Sequence, residues 1–261
     1  MNHDVNQFSM GLWLLFLAYG VSVTGSVVGL ACTRCSAAET DGWRRIRWLV
    51  MASVAIGGVG VWLMHFIAML GFAIPNGVIR YQLGWTAVSA VLAIVAVFIG
   101  LLTVGRSVNI FRLIAGGVIT GLAVALMHYT GMWAMKIQGT IGYDRNLVIL
   151  SVVIAVVAAT TALLFTLVLK SRALRLVGGL VMGLAVTGMH YTGMAAIRVS
   201  LDKGAPIPQG FEVFSFLFPV FVVGLLALVL PIVAVMLAPD RGAADSRQPV
   251  PTPSEPLTVP D

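Results

Sequence analysis

Seven uninterrupted apolar runs constrain this chain more than any other feature. They fall at Met10–Cys32, Trp48–Ile74, Gly84–Val104, Leu113–Met135, Leu147–Leu169, Leu176–Ile197 and Val213–Leu237. Each is about 20 residues or more, the length an α-helix needs to cross roughly 30 Å of hydrocarbon. Only structures that satisfy every backbone polar group internally survive in that solvent. Composition agrees, with 59% hydrophobic and 10% charged residues, whereas soluble domains carry about 25% charge. The expected fold class is all-α: a polytopic membrane protein of seven transmembrane helices in the lipid bilayer. The leader MNHDVNQFS lacks Lys and Arg, and the run after it is too long for a signal-peptide core, so no cleaved signal is expected.

The net charge of +6 does not point to nucleic acid, because the basic residues sit in short loops between runs, where they set topology. One side holds Arg34, Arg44, Arg45, Arg47, Arg106, Arg112, Lys170, Arg172, Arg175, Arg241 and Arg247. The other holds Arg80, Lys136, Arg145, Arg198 and Lys203. This split predicts an external N-terminus and a cytoplasmic C-terminus. Residues 1–9 read as a short external leader and 10–237 as the membrane domain. Residues 238–261, rich in Pro and polar side chains, read as a disordered cytoplasmic tail. No loop exceeds about 15 residues, which leaves no room for a soluble catalytic domain.

An internal repeat carries the chemistry. WLMHFIAML (62–70), ALMHYTGMW (125–133) and TGMHYTGMA (187–195) align, with His65, His128 and His190 spaced 63 and 62 residues apart. The implied build is three tandem helix pairs (about 10–74, 84–135 and 147–197) plus an extra helix, 213–237. A Gly stands seven residues before each histidine, at Gly58, Gly121 and Gly183, and reads first as a close-packing position. The histidines lie 17, 15 and 14 residues past the starts of their runs, roughly 21–26 Å of travel. All three therefore sit at matched depth toward the outer face.

Within the runs and away from their ends there is no Asp, Glu, Lys or Arg, so these histidines are the ionisable groups left in hydrocarbon. Such groups are costly and mark function unless they only bridge helices. Each has a Met before it (Met64, Met127, Met189) and another four residues on (Met69, Met132, Met194). Residues i and i+4 share a helix face, which offers imidazole and thioether together. That pair suits copper, Cu(I) above all, and suits zinc, magnesium, calcium or manganese poorly. Tyr129 and Tyr191 are candidates to hydrogen-bond a bound ligand, or interfacial anchors. Repeat one has Phe66, Ile67 and Ala68 in place of Tyr, Thr and Gly, so His128 and His190 are expected to hold more metal than His65. Cys32 and Cys35 form a CxxC at the opposite end from the histidines, where thiols stay reduced. Copper transport and a membrane haem protein with two histidine ligands remain alternatives, as does a structural role.

Two copies of Met-His-Tyr-Thr, at 127–130 and 189–192, with Met64-His65-Phe66-Ile67 as a third variant, closely resemble the MHYT family of bacterial membrane sensor domains. The likeness covers about residues 8–240. It implies a site in the bacterial cytoplasmic (inner) membrane at which Met64, His65, Met127, His128, Tyr129, Met189, His190 and Tyr191 coordinate copper near the outer face. It also implies oxygen, carbon monoxide or nitric oxide as the sensed ligand. Many relatives carry a cytoplasmic output domain. This chain has only its tail, so the resemblance implies a separate cytoplasmic signalling partner and no enzymatic activity.

Overall fold

Seven helices, each long and apolar enough to cross a membrane, make up most of the computed structural model, which describes residues 6–75, 77–202 and 204–238. They are α1 (Trp13–Ala38), α2 (Gly42–Met69), α3 (Leu83–Val104), α4 (Ile110–Ala134), α5 (Arg145–Val168), α6 (Arg172–Ala195) and α7 (Val213–Leu237). The protein is an all-α, multi-pass membrane protein, as the seven runs predict. The expected tail beyond Ala238 and the first five residues of the leader lie outside the described residues.

Helices α1 to α6 close into a ring in which each packs on its sequence neighbours and α6 returns to α1, while α7 lies outside against α1 and α2. Each repeat supplies one adjacent pair to the ring. The motif helices α2, α4 and α6 therefore alternate with α1, α3 and α5 and run in the same direction. Their N-termini share one end of the bundle, the arginine end, and are capped there by side chains. Asp41 accepts from Trp43 N, Asn109 from Arg112 N and Ser171 from Leu174 N. Positive charge beside a helix N-terminus is mildly unfavourable, so the arginines there answer to topology rather than to the helix dipole.

Small residues let the ring close tightly. A side chain at Gly121 would run into the Val156 backbone of α5, and a Cβ at Gly183 would come 2.7 Å from Val23 on α1. Gly58 has no such constraint; its nearest neighbour, Ile94, stands 3.5 Å away. Helix α2 departs from the other motif helices in winding. It is α-helical over Gly42–Ser53, π-helical over Val54–Leu63 and α-helical again over Met64–Met69. Three glycines in this stretch, Gly57, Gly58 and Gly60, weaken its preference for the α pitch. A Cβ on Gly57 would fall 2.5 Å from the Ala93 carbonyl. Ser22 of α1 donates to the Gly60 carbonyl at 2.7 Å, giving a partner to an acceptor in the widened segment.

At the opposite end, the motif end, the segments leaving the motif helices pair as short antiparallel strands. β1 (Ile79–Tyr81) pairs with β2 (Met135–Ile137), and β3 (Gly139–Tyr143) with β4 (Ile197–Leu201). β1 follows α2, β2 and β3 follow α4, and β4 follows α6, so two ladders tie the ends of all three motif helices in series. The apolar runs hide these strands. Helix α2 stops at Met69 rather than Ile74, and Met135 and Ile197, read as helical, instead begin strands. Apolarity marks burial but does not choose between helix and strand at a run's end. Arg80 of β1 pairs with Glu212 before α7 at 2.7 Å, and Arg198 of β4 with Asp144, the cap of α5, at 3.4 Å.

Candidate metal centre

Each motif histidine sits four to six residues before the end of its helix, where the strands hold those ends in register. Ring closure turns all three inward, each about 1% exposed. His65 Nδ1 stands 3.0 Å from His190 Nδ1 and 3.1 Å from His128 Nδ1. The ring centroids are 4.9, 5.0 and 5.2 Å apart, and the ring planes cross at 80°, 79° and 88°. Three nearly perpendicular, nearly equidistant imidazoles make one cluster with approximate three-fold character. Among the described residues it is the group of ligating side chains close enough to hold a metal ion. The repeat thus builds one shared centre, and His65 is the member that touches both others.

The outward nitrogens explain the orientation. His65 Nε2 abuts Gly131 of the second repeat, where a Cβ would fall 2.5 Å away, and His128 Nε2 abuts Gly193 of the third. The glycine three residues after one histidine is therefore the seat for the ring of the preceding repeat. Repeat one carries Ala68 at this position. The Nε2 atoms of His65, His128 and His190 are buried with no hydrogen-bond partner, as is Thr187 Oγ1 one turn below His190. An orphaned buried polar atom costs about 1–3 kcal/mol.

Three imidazole nitrogens suit a borderline cation such as copper or zinc. With the ring protons on Nε2, three Nδ1 lone pairs face one another, and a cation between them relieves the repulsion. Three imidazoles around one ion at about 2.0 Å would stand roughly 3.5 Å apart, so the two spacings from His65, 3.0 and 3.1 Å, need open by only about half an ångström. The methionines separate into sets. Met69, Met132 and Met194 meet in one buried cluster at the motif end. Met127 and Met189 share another, and Met64 joins a third with α1 and α7 residues.

Aromatic rings complete the surroundings. Phe66, Tyr129 and Tyr191 each set an edge against their own histidine, with centroids 4.9, 4.9 and 5.0 Å apart and ring planes at 88°, 82° and 85°. Phe66 therefore fills the same place as the tyrosines. It is fully buried among Trp62, Tyr81 and Phe216, where a phenol would lack water. Tyr129, half-buried, shares a 2.7 Å hydrogen bond with Ser151, and Tyr191 stacks on Phe8. The Tyr129 hydroxyl is thus engaged by Ser151 and not by a histidine. Phe72, Ile74, Tyr81, Ile197 and Val199 pack around the methionine cluster as a roof, and the histidines are closed to solvent. Burial raises the Tyr81 phenol pKa and keeps it neutral. Cys32 is buried and Cys35 partly so, both near the arginine end of α1.

Sequence reading noted the glycine that repeat one lacks but gave Gly131 and Gly193 no structural role, and it overlooked Thr187 and the Phe8 stack. The first two were visible as a repeated Gly-Met after His-Tyr-Thr. Thr187, where the other repeats have Trp62 and Ala125, was visible as a hydroxyl with no counterpart at that position in the other repeats.

The chain matches the MHYT family, described as "Bacterial signalling protein N terminal repeat", three times, over residues 58–117, 121–179 and 183–244. Each match starts at the glycine seven residues before a motif histidine and pairs a motif helix with the helix after it. The third match thereby includes α7. Over 168 residues the chain is 38% identical to the bifunctional diguanylate cyclase/cyclic di-GMP phosphodiesterase MucR of Pseudomonas aeruginosa, covering 62% of this chain and 24% of that protein. It is 36% identical to the cyclic di-GMP phosphodiesterase NbdA of the same organism over 58% of this chain and 20% of that protein. It is 31% identical to the signaling protein YkoW of Bacillus subtilis over 80% of this chain and 26% of that protein. The chain thus spans only about a fifth to a quarter of the length of these relatives. No solved structure matches it. With three matches in register with its three histidines and covering more than half of its length, the chain belongs to the MHYT family of bacterial signalling protein N-terminal repeats.

Proposed function

We propose that the chain is a membrane sensor module in which His65, His128 and His190 hold one copper ion, with thioether from the Met69, Met132 and Met194 set. The observation that carries this reading is the convergence of three Nδ1 atoms inside an apolar bundle, with three orphaned Nε2 atoms behind them. A neutral imidazole and thioether shell leaves less uncompensated charge around Cu(I) than around a divalent ion, which matters where water is excluded. Bound copper would supply an open coordination position for a small ligand. The protein's own part is to hold the rings by the glycine seats, exclude water with the roof and pass a change in ring spacing along the motif helices.

The sealed roof favours a neutral diatomic ligand such as oxygen, carbon monoxide or nitric oxide over a hydrated one. An apolar groove of about 170 Å³ between α1, α2 and α7 ends at Phe66, beside His65, and suits arrival of such a gas from lipid. The copper-transport alternative lacks a chain of donors toward the arginine end. The haem alternative needs a porphyrin plane between two imidazoles, and the third ring occupies that space. The N-terminus lies outside, the C-terminus faces the cytoplasm of a bacterial inner membrane, and the signal leaves through a cytoplasmic partner or output domain rather than through chemistry in this chain.

The test is elemental analysis of detergent-purified protein with each histidine replaced by alanine. One shared site predicts that His65→Ala removes at least as much copper as His128→Ala or His190→Ala, in place of the ranking drawn from the motif strings. Copper unchanged in the triple variant would end the proposal.

A further inference from the structure

The arginine end carries a second concentration of unusual groups, distant from the histidines and independent of any metal there. Nine of the basic residues counted on this side fall among the described residues, against two acids, Glu39 and Asp41. Asp41 is engaged by Arg44 at 3.8 Å. The remaining cations are not spread evenly. Arg34, Arg45, Arg106 and Lys170, from α1, α2, the α3–α4 turn and the α5–α6 turn, line a single pocket of about 370 Å³.

The pocket is a mixed site. Its rim is cationic, and its wall includes the buried Leu49 and Leu101 and the buried hydroxyl-bearing residues Thr33 and Ser36. Arg106 donates to the Glu39 carbonyl, which fixes its guanidinium at the rim. Arg34, Arg45 and Lys170 make no side-chain hydrogen bond or ion pair among the described residues. Like charges drawn together around this pocket, whose lining contains no carboxylate among the described residues, leave an electrostatic demand that an anion satisfies. The pocket lies at the helix ends, level with the headgroups of a surrounding bilayer. Basic pockets between transmembrane helices at this level suit phosphate headgroups, and guanidinium forks match phosphate oxygens.

We propose that this pocket binds a phosphate-bearing anion, held by Arg34, Arg45, Arg106 and Lys170. The phosphate of an anionic phospholipid and a soluble phosphate present the same chemistry. The apolar wall gives the lipid somewhere to lay its glycerol and first methylenes. Occupancy ties α1, α2, α3 and α5 together at the end from which a signal would leave.

The test uses the full chain, purified in uncharged detergent and titrated with dihexanoyl-phosphatidylglycerol, dihexanoyl-phosphatidylcholine or sodium phosphate, with thermal unfolding as readout. Phosphatidylglycerol should raise the unfolding temperature saturably, and phosphatidylcholine should not. The double variant Arg45→Gln/Lys170→Gln should weaken the response roughly tenfold, while Arg44→Gln, outside the pocket, should leave it within about twofold. The charge-keeping pair Arg45→Lys/Lys170→Arg should retain most of the response, separating loss of charge from loss of fold. Sodium phosphate matching and competing with phosphatidylglycerol supports the site and names a soluble anion; a response to phosphatidylglycerol alone supports the site and names the lipid. Equal responses to both lipids, equal losses from Arg44→Gln and the double variant, or loss in the charge-keeping pair would each overturn the proposal.

Discussion

At the scale of single residues, the centre depends as much on what is missing from two positions as on the histidines. Gly131 and Gly193 lack the Cβ that would collide with the neighbouring repeat's imidazole. Gly131→Ala and Gly193→Ala should therefore each displace a ring and lower copper content at least severalfold. The overpacking cost is about 1–3 kcal/mol, small enough for the protein still to purify as a folded species. Copper measured against protein concentration checks this; wild-type content in both variants would mean that the seats do not set ring position. Sequence revealed the histidines because charge is so scarce in the runs, but it did not show why residue 66 is Phe. Phe66 looked like a lost tyrosine, whereas a phenol there would be buried without water. A motif string reports chemistry without reporting burial, and burial decides which aromatic ring each site accepts.

At the scale of elements, the same limits show in the three glycines seven residues before the histidines. They are equivalent in sequence and unequal in structure. Gly121→Ala should destabilise the protein by about 1–3 kcal/mol, because its Cβ meets the Val156 backbone, which cannot rotate away. Gly58→Ala should be close to neutral, since its Cβ meets only ordinary contacts with Ile94. Detergent unfolding of the two variants side by side distinguishes them, and equal losses would show that ring closure treats the repeats alike. The seven helices were legible because length and apolarity are cumulative signals over 20 residues. The π-helical stretch of α2 and the two strand ladders were not, since each rests on contacts between distant segments. Ser22 with Gly60, and Ile79 with Ile137, cannot be paired from one run at a time.

At the scale of the whole molecule, three helix pairs close a ring, and closure turns three dispersed motifs into one centre. Equal depth was predictable from helix lengths; convergence on a shared point required the ring. The arginine end predicts the orientation in the bilayer. Reporter fusions at Asp144 should read external and fusions after Ala238 cytoplasmic; Asn76, a further external expectation, lies outside the described residues. A cytoplasmic reading at Asp144 would reverse the bundle and place the histidines toward the inner face.

The most direct measurement on the central claim is copper K-edge X-ray absorption on the purified full chain, because it counts imidazoles around the ion. One copper per chain as Cu(I), with three imidazole nitrogens and thioether sulfur in its first shell, is the predicted result. A shell with one or two imidazoles, or one of nitrogen and oxygen without sulfur, would contradict it.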